Sequence, residues 1–104
     1  MATKSADYFK LPKSVQQVAD EIIKATSPRQ LILFGSRARG DQRENSDFDF
    51  AVDLRQCSED SWNRLIVDIE EEPWCLYKID LVELEKMGMD YRLEIEKDGI
   101  LIYG

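Results

Sequence analysis

The stretch that decides the fold is Gln30-Leu-Ile-Leu-Phe-Gly-Ser-Arg-Ala-Arg-Gly40, followed after a polar connection up to Asn45 by Ser46-Asp-Phe-Asp-Phe-Ala-Val-Asp53. The first stretch opens with an apolar run that ends at Gly35, which is typical of a buried strand followed by a tight turn. The second stretch alternates, and its apolar positions on one face of a strand are Phe48, Phe50 and Val52. Its opposite face is acidic. We therefore predict two strands, the second of which presents carboxylates away from the core.

Helical patterns lie on both sides of these two strands. Apolar residues at helical spacing predict a first helix from about Pro12 to Ala25, with Ser14-Val-Gln-Gln17 as a capping box at its start. A second helix is predicted after Ser58 or Ser61, either of which can cap it, and it ends near Pro73 because proline cannot continue a helix.

The last third of the chain adds two strands and a short helix. The first of these strands is predicted over Tyr77-Lys-Ile-Asp-Leu-Val-Glu83, with Asp80 on the face opposite its apolar positions. Asp90 is predicted to cap a short helix that ends at Gly99, and Ile100-Leu-Ile-Tyr103 follows as a final strand. The predicted order of elements is αβ-β-αβ-αβ.

Length and composition restrict the class of protein. The chain has 104 residues, 43% hydrophobic and 34% charged, which suits one soluble domain spanning residues 1–104. No apolar stretch is long enough to cross a bilayer, so we expect a cytoplasmic protein without a membrane partner. The formal net charge of -7 argues against a basic groove for direct binding of nucleic acid.

The content of histidine and cysteine excludes several chemistries. The chain has no histidine, so catalysis by Ser-His-Asp or Cys-His groups is excluded. Cys57 and Cys75 lack the spacing and the further ligands of a zinc site, and we expect two reduced thiols. Any catalysis therefore depends on carboxylates, hydroxyls, arginine, lysine or a hard metal ion.

Three carboxylates are the candidates for such a metal site. Asp47 and Asp49 are two residues apart on a strand, so they point to the same side with Cα atoms about 6.5–7 Å apart. Asp80 lies on the corresponding face of another strand. Oxygen ligands without histidine or cysteine favour Mg²⁺ or Mn²⁺, and such ions usually complete their coordination with substrate phosphates. An aspartate taken alone is more often a solvated surface residue. Three acids on one face favour a cation site over that interpretation, because their like charges repel one another unless a cation is bound.

A candidate phosphate site precedes these carboxylates. Gly35 allows the backbone to approach a phosphate closely, and Ser36 adds a hydroxyl donor. Arg37 and Arg39 stand where they could neutralise a triphosphate, although both could also be ordinary surface charges.

Taken together, these motifs resemble one known family. Leu33-Phe-Gly-Ser-Arg-Ala-Arg-Gly40, Ser46-Asp-Phe-Asp-Phe-Ala-Val52 and Ile79-Asp-Leu81 are similar to the minimal nucleotidyltransferase (MNT) family of the DNA polymerase beta-like nucleotidyltransferase superfamily. The resemblance covers essentially the whole chain, including the closing segment Ile95-Glu-Lys-Asp-Gly-Ile-Leu-Ile-Tyr103. It implies an α/β (α+β type) fold, with a small mixed β-sheet that carries helices on one face and the nucleotide and metals on the other.

The resemblance also implies roles for individual residues. By this match Asp47, Asp49 and Asp80 are the catalytic and metal-binding acids. The triphosphate of ATP would be held by Gly35 and Ser36, with Arg39 as a phosphate contact and Arg37 as a less certain second one. The implied cofactor is Mg²⁺ or Mn²⁺, and ATP is the implied substrate.

Members of this family are typically encoded beside a HEPN protein, with which they form a toxin-antitoxin module. The resemblance therefore implies an antitoxin that transfers AMP from ATP to a tyrosine hydroxyl of a HEPN partner in a heteromeric complex. The alternative is a binding module that neutralises its partner by masking it, which the acidic composition suits. A third possibility is a nucleotidyltransferase for a small molecule, although such enzymes generally carry a further domain for the acceptor.

Overall fold

A four-stranded mixed sheet forms the centre of the protein in a computed structural model that describes residues 2–44 and 46–104. The strands are β1 (Gln30–Phe34), β2 (Phe48–Asp53), β3 (Ile79–Glu83) and β4 (Ile100–Tyr103), in the spatial order β3-β2-β1-β4. β1 is antiparallel to both β2 and β4, whereas β2 and β3 are parallel. The α/β fold class with a small mixed sheet is thereby confirmed.

Within the described residues four helices accompany these strands, namely α1 (Lys13–Thr26), α2 (Ser36–Arg39), α3 (Glu59–Glu70) and α4 (Met89–Asp98). Short 3-10 turns occur at Tyr8–Lys10 and Leu84–Lys86. The predicted order of elements is confirmed except that α2 stands in the segment expected to be a loop. The predicted strands at 46–53 and 77–83 each begin two residues later, at Phe48 and Ile79.

The alternation along β2 separates the core from the site. Phe48, Phe50 and Val52 are buried with the apolar faces of α1 and α3, which cover one face of the sheet. Asp49 and Asp53 project from the opposite face and are only half-buried. The predicted assignment of faces is therefore confirmed for β2.

The start of α1 differs from the prediction. The helix begins at Lys13 after Pro12, without a hydrogen bond from a capping side chain, so the capping box at Ser14 is wrong. Proline favours this position because its fixed φ suits a helix start. The buried Gln16 amide instead donates to the carbonyls of Phe9 and Leu11, which secures the turn that precedes α1.

Of the N-caps predicted for the two later helices, that of α3 is confirmed and that of α4 is wrong. Ser58 caps α3, since its side chain accepts a hydrogen bond from the Ser61 amide, which settles the choice left open by the sequence. The N-cap of α4 is Gly88 rather than Asp90, so that predicted cap is wrong, because Asp90 lies inside the first turn. Gly99 ends the helix as predicted.

The position of α4 differs from the expectation that the helices lie on one face of the sheet. The Cβ that an alanine would place at Gly99 would meet the side chain of Ile32, which points away from the core residues Leu31 and Leu33. Ile95 is the one buried residue of α4 and is not part of the main core. Thus α1 and α3 share one face as expected, whereas α4 lies on the second face, beside the acidic positions.

Two further expectations concern the cysteines and the membrane. Cys57 and Cys75 are free and half-buried. Within the described residues, no helix is both long and apolar enough to pass through a membrane.

Replacing Phe50 with alanine tests the assignment of the core face. Phe50 is fully buried in the main core, so its truncation should lower the free energy of unfolding by about 3–5 kcal/mol in urea denaturation. Leu76, which is 89% exposed, provides the control, and Leu76→Ala should change that energy by less than about 0.5 kcal/mol. Equal effects of the two substitutions would contradict the assignment.

Candidate active site

The turn between β1 and α2 brings the backbone against a carboxylate. Gly35 has φ 76° and ψ -155°, a combination that is essentially restricted to glycine. Its neighbour Phe34 pairs with Asp49 across the sheet, so the Asp49 carboxylate lies beside the turn. A Cβ atom added at Gly35 would collide with the Asp49 carboxylate oxygen. Glycine is therefore needed here both for the backbone conformation and for the close approach of Asp49.

The acidic residues converge from two parallel strands. Asp49 and Asp80 are direct partners in the register of β2 and β3, and both are half-buried. Asp47 lies two residues before Asp49, on the segment that leads into β2. The sheet therefore sets Asp49 directly beside Asp80, with Asp47 nearby on the segment that leads into β2.

The carboxylates repel one another. Burial raises the pKa of the Asp49 carboxyl, and the neighbouring carboxylates of Asp80 and Asp47 raise it further. The Arg39 guanidinium lowers it and is the smallest of these influences. The site thus holds negative charge at a cost to the folded protein unless a cation is close by.

Lys78 supplies one such cation. Its ammonium lies 3.9 Å from a carboxylate oxygen of Asp47 and 3.9 Å from one of Asp80. The lysine side chain is 71% exposed, so water screens both ion pairs and the lysine is held only weakly. We therefore expect Lys78 to be displaced easily by a more highly charged ion.

The donor atoms suit a hard divalent cation, although the site is not closed around one. Across residues 2–44 and 46–104, no three acidic or thiol side chains stand close enough together to hold a metal ion. Asp49 and Asp80 offer facing oxygen ligands, and their mutual repulsion is the condition that a divalent cation relieves. The chemistry of these residues therefore fits Mg²⁺ or Mn²⁺, with Asp47 as the third available ligand.

Two of the residues predicted to contact phosphate, Ser36 and Arg39, lie near these acids. Ser36 is half-buried at the first position of α2, directly after Gly35. The Arg39 guanidinium forms ion pairs with Glu94 of α4 at 2.9 Å and with Asp41 at 3.3 Å. Arg39 is close enough to Asp49 to influence its pKa, so it lies on the acidic face of the sheet.

Arg37 lies elsewhere. Its guanidinium carbon is 4.3 Å from the centre of the Phe48 ring and 5.3 Å from that of Tyr77. Phe48 and Asp49 are consecutive residues of β2 and point to opposite faces. The structure therefore groups Asp47, Asp49, Asp80, Gly35, Ser36 and Arg39, whereas Arg37 contacts the other side of the strand.

Two residues of this site were not singled out from the sequence. Lys78 shares a strand face with Asp80 at a spacing of two residues, which is a signal that the alternation contained. Glu94 is 55 residues from Arg39 in the chain and meets it only because α4 folds over the second face of the sheet. Local sequence patterns contain no signal for that contact.

Comparison with known proteins agrees with this geometry. The sequence model of the family described as "Polymerase beta, Nucleotidyltransferase" matches residues 16–104. The chain belongs to this nucleotidyltransferase family. No curated protein matches the sequence significantly.

Two solved structures share the fold. One is described as a candidate minimal nucleotidyltransferase and is 22% identical, with a TM-score of 0.67 over 89% of this chain and 93% of that chain. The other is a toxin-antitoxin crystal structure with AMP-PNP, 23% identical, with a TM-score of 0.55 over 79% of this chain and 69% of that chain. At these identities the likeness concerns the fold, and it agrees with the predicted MNT architecture.

Replacing Gly35 with alanine tests the close approach of the turn to Asp49. Gly35→Ala combines a strained backbone with a collision at the carboxylate, and we expect it to lower the free energy of unfolding by about 1–3 kcal/mol and to abolish nucleotide binding. Gly40 is a matched control, since its φ is also positive, at 82°, but the space around it is open. Gly40→Ala should lose some stability and keep nucleotide affinity, as measured by calorimetry. Equal nucleotide affinities of the two variants would contradict a role for the turn.

Replacing Asp49 with asparagine tests the repulsion among the carboxylates. Because the raised pKa means that the folded protein holds this proton more tightly than the unfolded chain does, stability falls as Asp49 ionises with rising pH. Without metal at neutral pH, Asp49→Asn should therefore melt at the same temperature as the natural protein or at a higher one. Addition of Mg²⁺ and ATP should raise the melting temperature of the natural protein alone. A lower melting temperature of the metal-free variant would contradict this account.

Proposed function

We propose that the protein is a metal-dependent nucleotidyltransferase that transfers AMP from ATP to a hydroxyl of a partner protein. The observation that carries this proposal is the pairing of Asp49 with Asp80 across β2 and β3, directly beside the Gly35 turn. Carboxylate oxygens, which are suitable ligands for divalent cations, lie next to a glycine turn of the kind that can approach phosphate, and this supports the proposal. Membership of the nucleotidyltransferase family supports the reaction class.

In the proposed reaction the hydroxyl oxygen of the acceptor attacks the α-phosphorus of ATP. A new P–O bond forms to the acceptor, the bond between the α-phosphorus and the bridging oxygen breaks, and pyrophosphate leaves. A divalent cation bound by the acids would neutralise the triphosphate and favour ionisation of the hydroxyl. Asp80 would accept the hydroxyl proton, or it would help to hold the cation while water accepts the proton.

The remaining residues of the site hold the nucleotide. By this proposal the Gly35 amide and the Ser36 hydroxyl, at the start of α2, would donate hydrogen bonds to phosphate oxygens. Arg39 would offset charge on the departing pyrophosphate, and to do so it must exchange its ion pairs with Glu94 and Asp41 for phosphate. Both ion pairs are partly exposed, so this exchange costs little.

The acceptor we propose is a tyrosine of a HEPN toxin, with the present chain acting as its antitoxin. The motif resemblance to the MNT family supports this partner, and so does the likeness in fold to a toxin-antitoxin complex that was crystallised with AMP-PNP. By this proposal the chain acts as one nucleotidyltransferase domain over residues 1–104, because the acceptor site is provided by the partner.

A second function, neutralisation by masking alone, is favoured by one observation. A groove of about 540 Å³ between α1 and α3 is lined by one basic side chain, Lys24, and by four acidic ones, namely Glu21, Asp68, Glu71 and Glu72. Burial and the neighbouring Glu72 and Asp68 raise the pKa of the Glu21 carboxyl, so negative charge is concentrated in this groove. It lies on the helical side of the sheet, away from Asp49, and would suit a basic partner.

Labelling with ATP that carries ³²P at the α-phosphate tests the enzyme proposal. The natural protein, Asp49→Asn and Asp53→Asn are each incubated with host lysate and Mg²⁺ and compared on a denaturing gel. Asp53 is the matched control because it lies on the same face of β2 and pairs with Arg29, outside the site. We expect one labelled band with the natural protein and with Asp53→Asn, and a band weaker by about 10²-fold or more with Asp49→Asn.

The outcomes separate the two functions. Mass spectrometry of the labelled band identifies the acceptor and its residue, and equal labelling by Asp49→Asn would overturn the assigned site. If no band forms, the double variant Asp47→Asn with Asp49→Asn is tested for neutralisation of the partner in cells. Full neutralisation by this variant would favour masking.

A further inference from the structure

The Arg37 guanidinium donates hydrogen bonds to backbone carbonyl oxygens. Its Nη2 and Nε atoms donate to the carbonyl oxygen of Ser46 at 3.0 Å and 3.3 Å, and Nη2 also lies 3.4 Å from the carbonyl oxygen of Glu44. Ser46 immediately precedes Asp47, the first acid of the site. One guanidinium therefore joins helix α2, which follows the phosphate turn, to the segment that delivers Asp47.

Two aromatic rings hold this guanidinium in place. The ring centres of Phe48 and Tyr77 are 5.1 Å apart and nearly perpendicular, and the Arg37 guanidinium carbon lies within 5.3 Å of both. Phe48 is buried, so it provides a fixed wall for the contact. A guanidinium that is stacked and hydrogen-bonded in this way is not free to follow a phosphate.

We propose that Arg37 is a positioning residue that fixes Asp47 relative to the Gly35–Ser36 turn and does not itself bind phosphate. Its effect on catalysis rests on the proposed function, whereas its effect on the segment before Asp47 does not. The planar fork of arginine is essential to this role, because it donates from two nitrogens to one carbonyl while its face stays on the rings. A lysine would keep the positive charge but lose both features.

Arg37→Lys separates positioning from phosphate binding, because loss of the planar fork lowers kcat if Arg37 positions Asp47 and raises the KM for ATP if Arg37 binds phosphate. We expect kcat to fall by about 10- to 100-fold, because a small displacement of Asp47 disturbs the arrangement of the reacting groups. The KM for ATP should stay within about twofold, and the Mg²⁺ concentration for half-maximal rate should rise. Arg39→Lys is the comparison, and it should raise the KM for ATP.

A second measurement reads the positioning without any enzymatic activity. The amide of Phe48 donates to the carbonyl of Lys78 at 2.9 Å, directly after Asp47, so its hydrogen exchange reports how firmly this segment is held. Exchange at Asp47 and Phe48 should accelerate in Arg37→Lys, and also in Tyr77→Leu, which removes one ring and leaves the arginine in place. Exchange of core amides in α1 should stay unchanged, which shows that the variants are folded.

The outcomes are distinct from those of the proposed function. A raised KM for ATP with unchanged kcat in Arg37→Lys would overturn the proposal and make Arg37 a phosphate contact. Unchanged exchange at Asp47 and Phe48 in both variants would also overturn it. If the natural protein transfers no AMP, the proposed function fails, and faster exchange in the variants still supports the positioning role.

Discussion

The structure of the site depends on the approach of the Asp49 carboxylate to the backbone at Gly35. This approach follows from the antiparallel pairing of Phe34 with Asp49, which sets the last residue of β1 opposite the first acid of β2. Any side chain at residue 35 would occupy the space of the carboxylate. Because Asp49 is also the partner of Asp80 in the parallel pair, the registers of β2 with β1 and with β3 determine where the Gly35 turn and two of the acids meet.

The two faces of β2 have different roles, since one is apolar and packs in the core and the other is acidic. The apolar face of β2 is buried against α1 and α3, and it supplies the packing that holds the strand in register. On the opposite face, burial of Asp49 and its repulsion by Asp80 and Asp47 raise the pKa of its carboxyl, and both effects oppose folding. Lys78 and Arg39 offset part of this repulsion, and both are held by partly exposed ion pairs that phosphate or a divalent cation can replace.

Much of the fold and site could be predicted from the sequence, for reasons that are local. Alternation of apolar and acidic residues indicated the two faces of β2, and glycine after an apolar run indicated the turn at Gly35. The capping residues of α1 and α4 were predicted wrongly because several polar residues near a helix start can cap it, and Pro12 and Gly88 took those positions. The contact of Arg39 with Glu94 and the stacking of Arg37 join segments distant in the chain or depend on side-chain packing. Arg37 and Arg39 look equivalent in the sequence, and only the fold shows that they lie on different sides of β2.

The most direct measurement is a crystal structure of the protein with Mn²⁺ and a non-hydrolysable ATP analogue, using the anomalous scattering of manganese to locate the metal. Our account predicts manganese bound by oxygens of Asp49 and Asp80, with the triphosphate against Gly35 and Ser36 and with Arg37 still stacked on Phe48. Manganese and nucleotide bound at any other place, or neither bound at concentrations that saturate active nucleotidyltransferases, would contradict it.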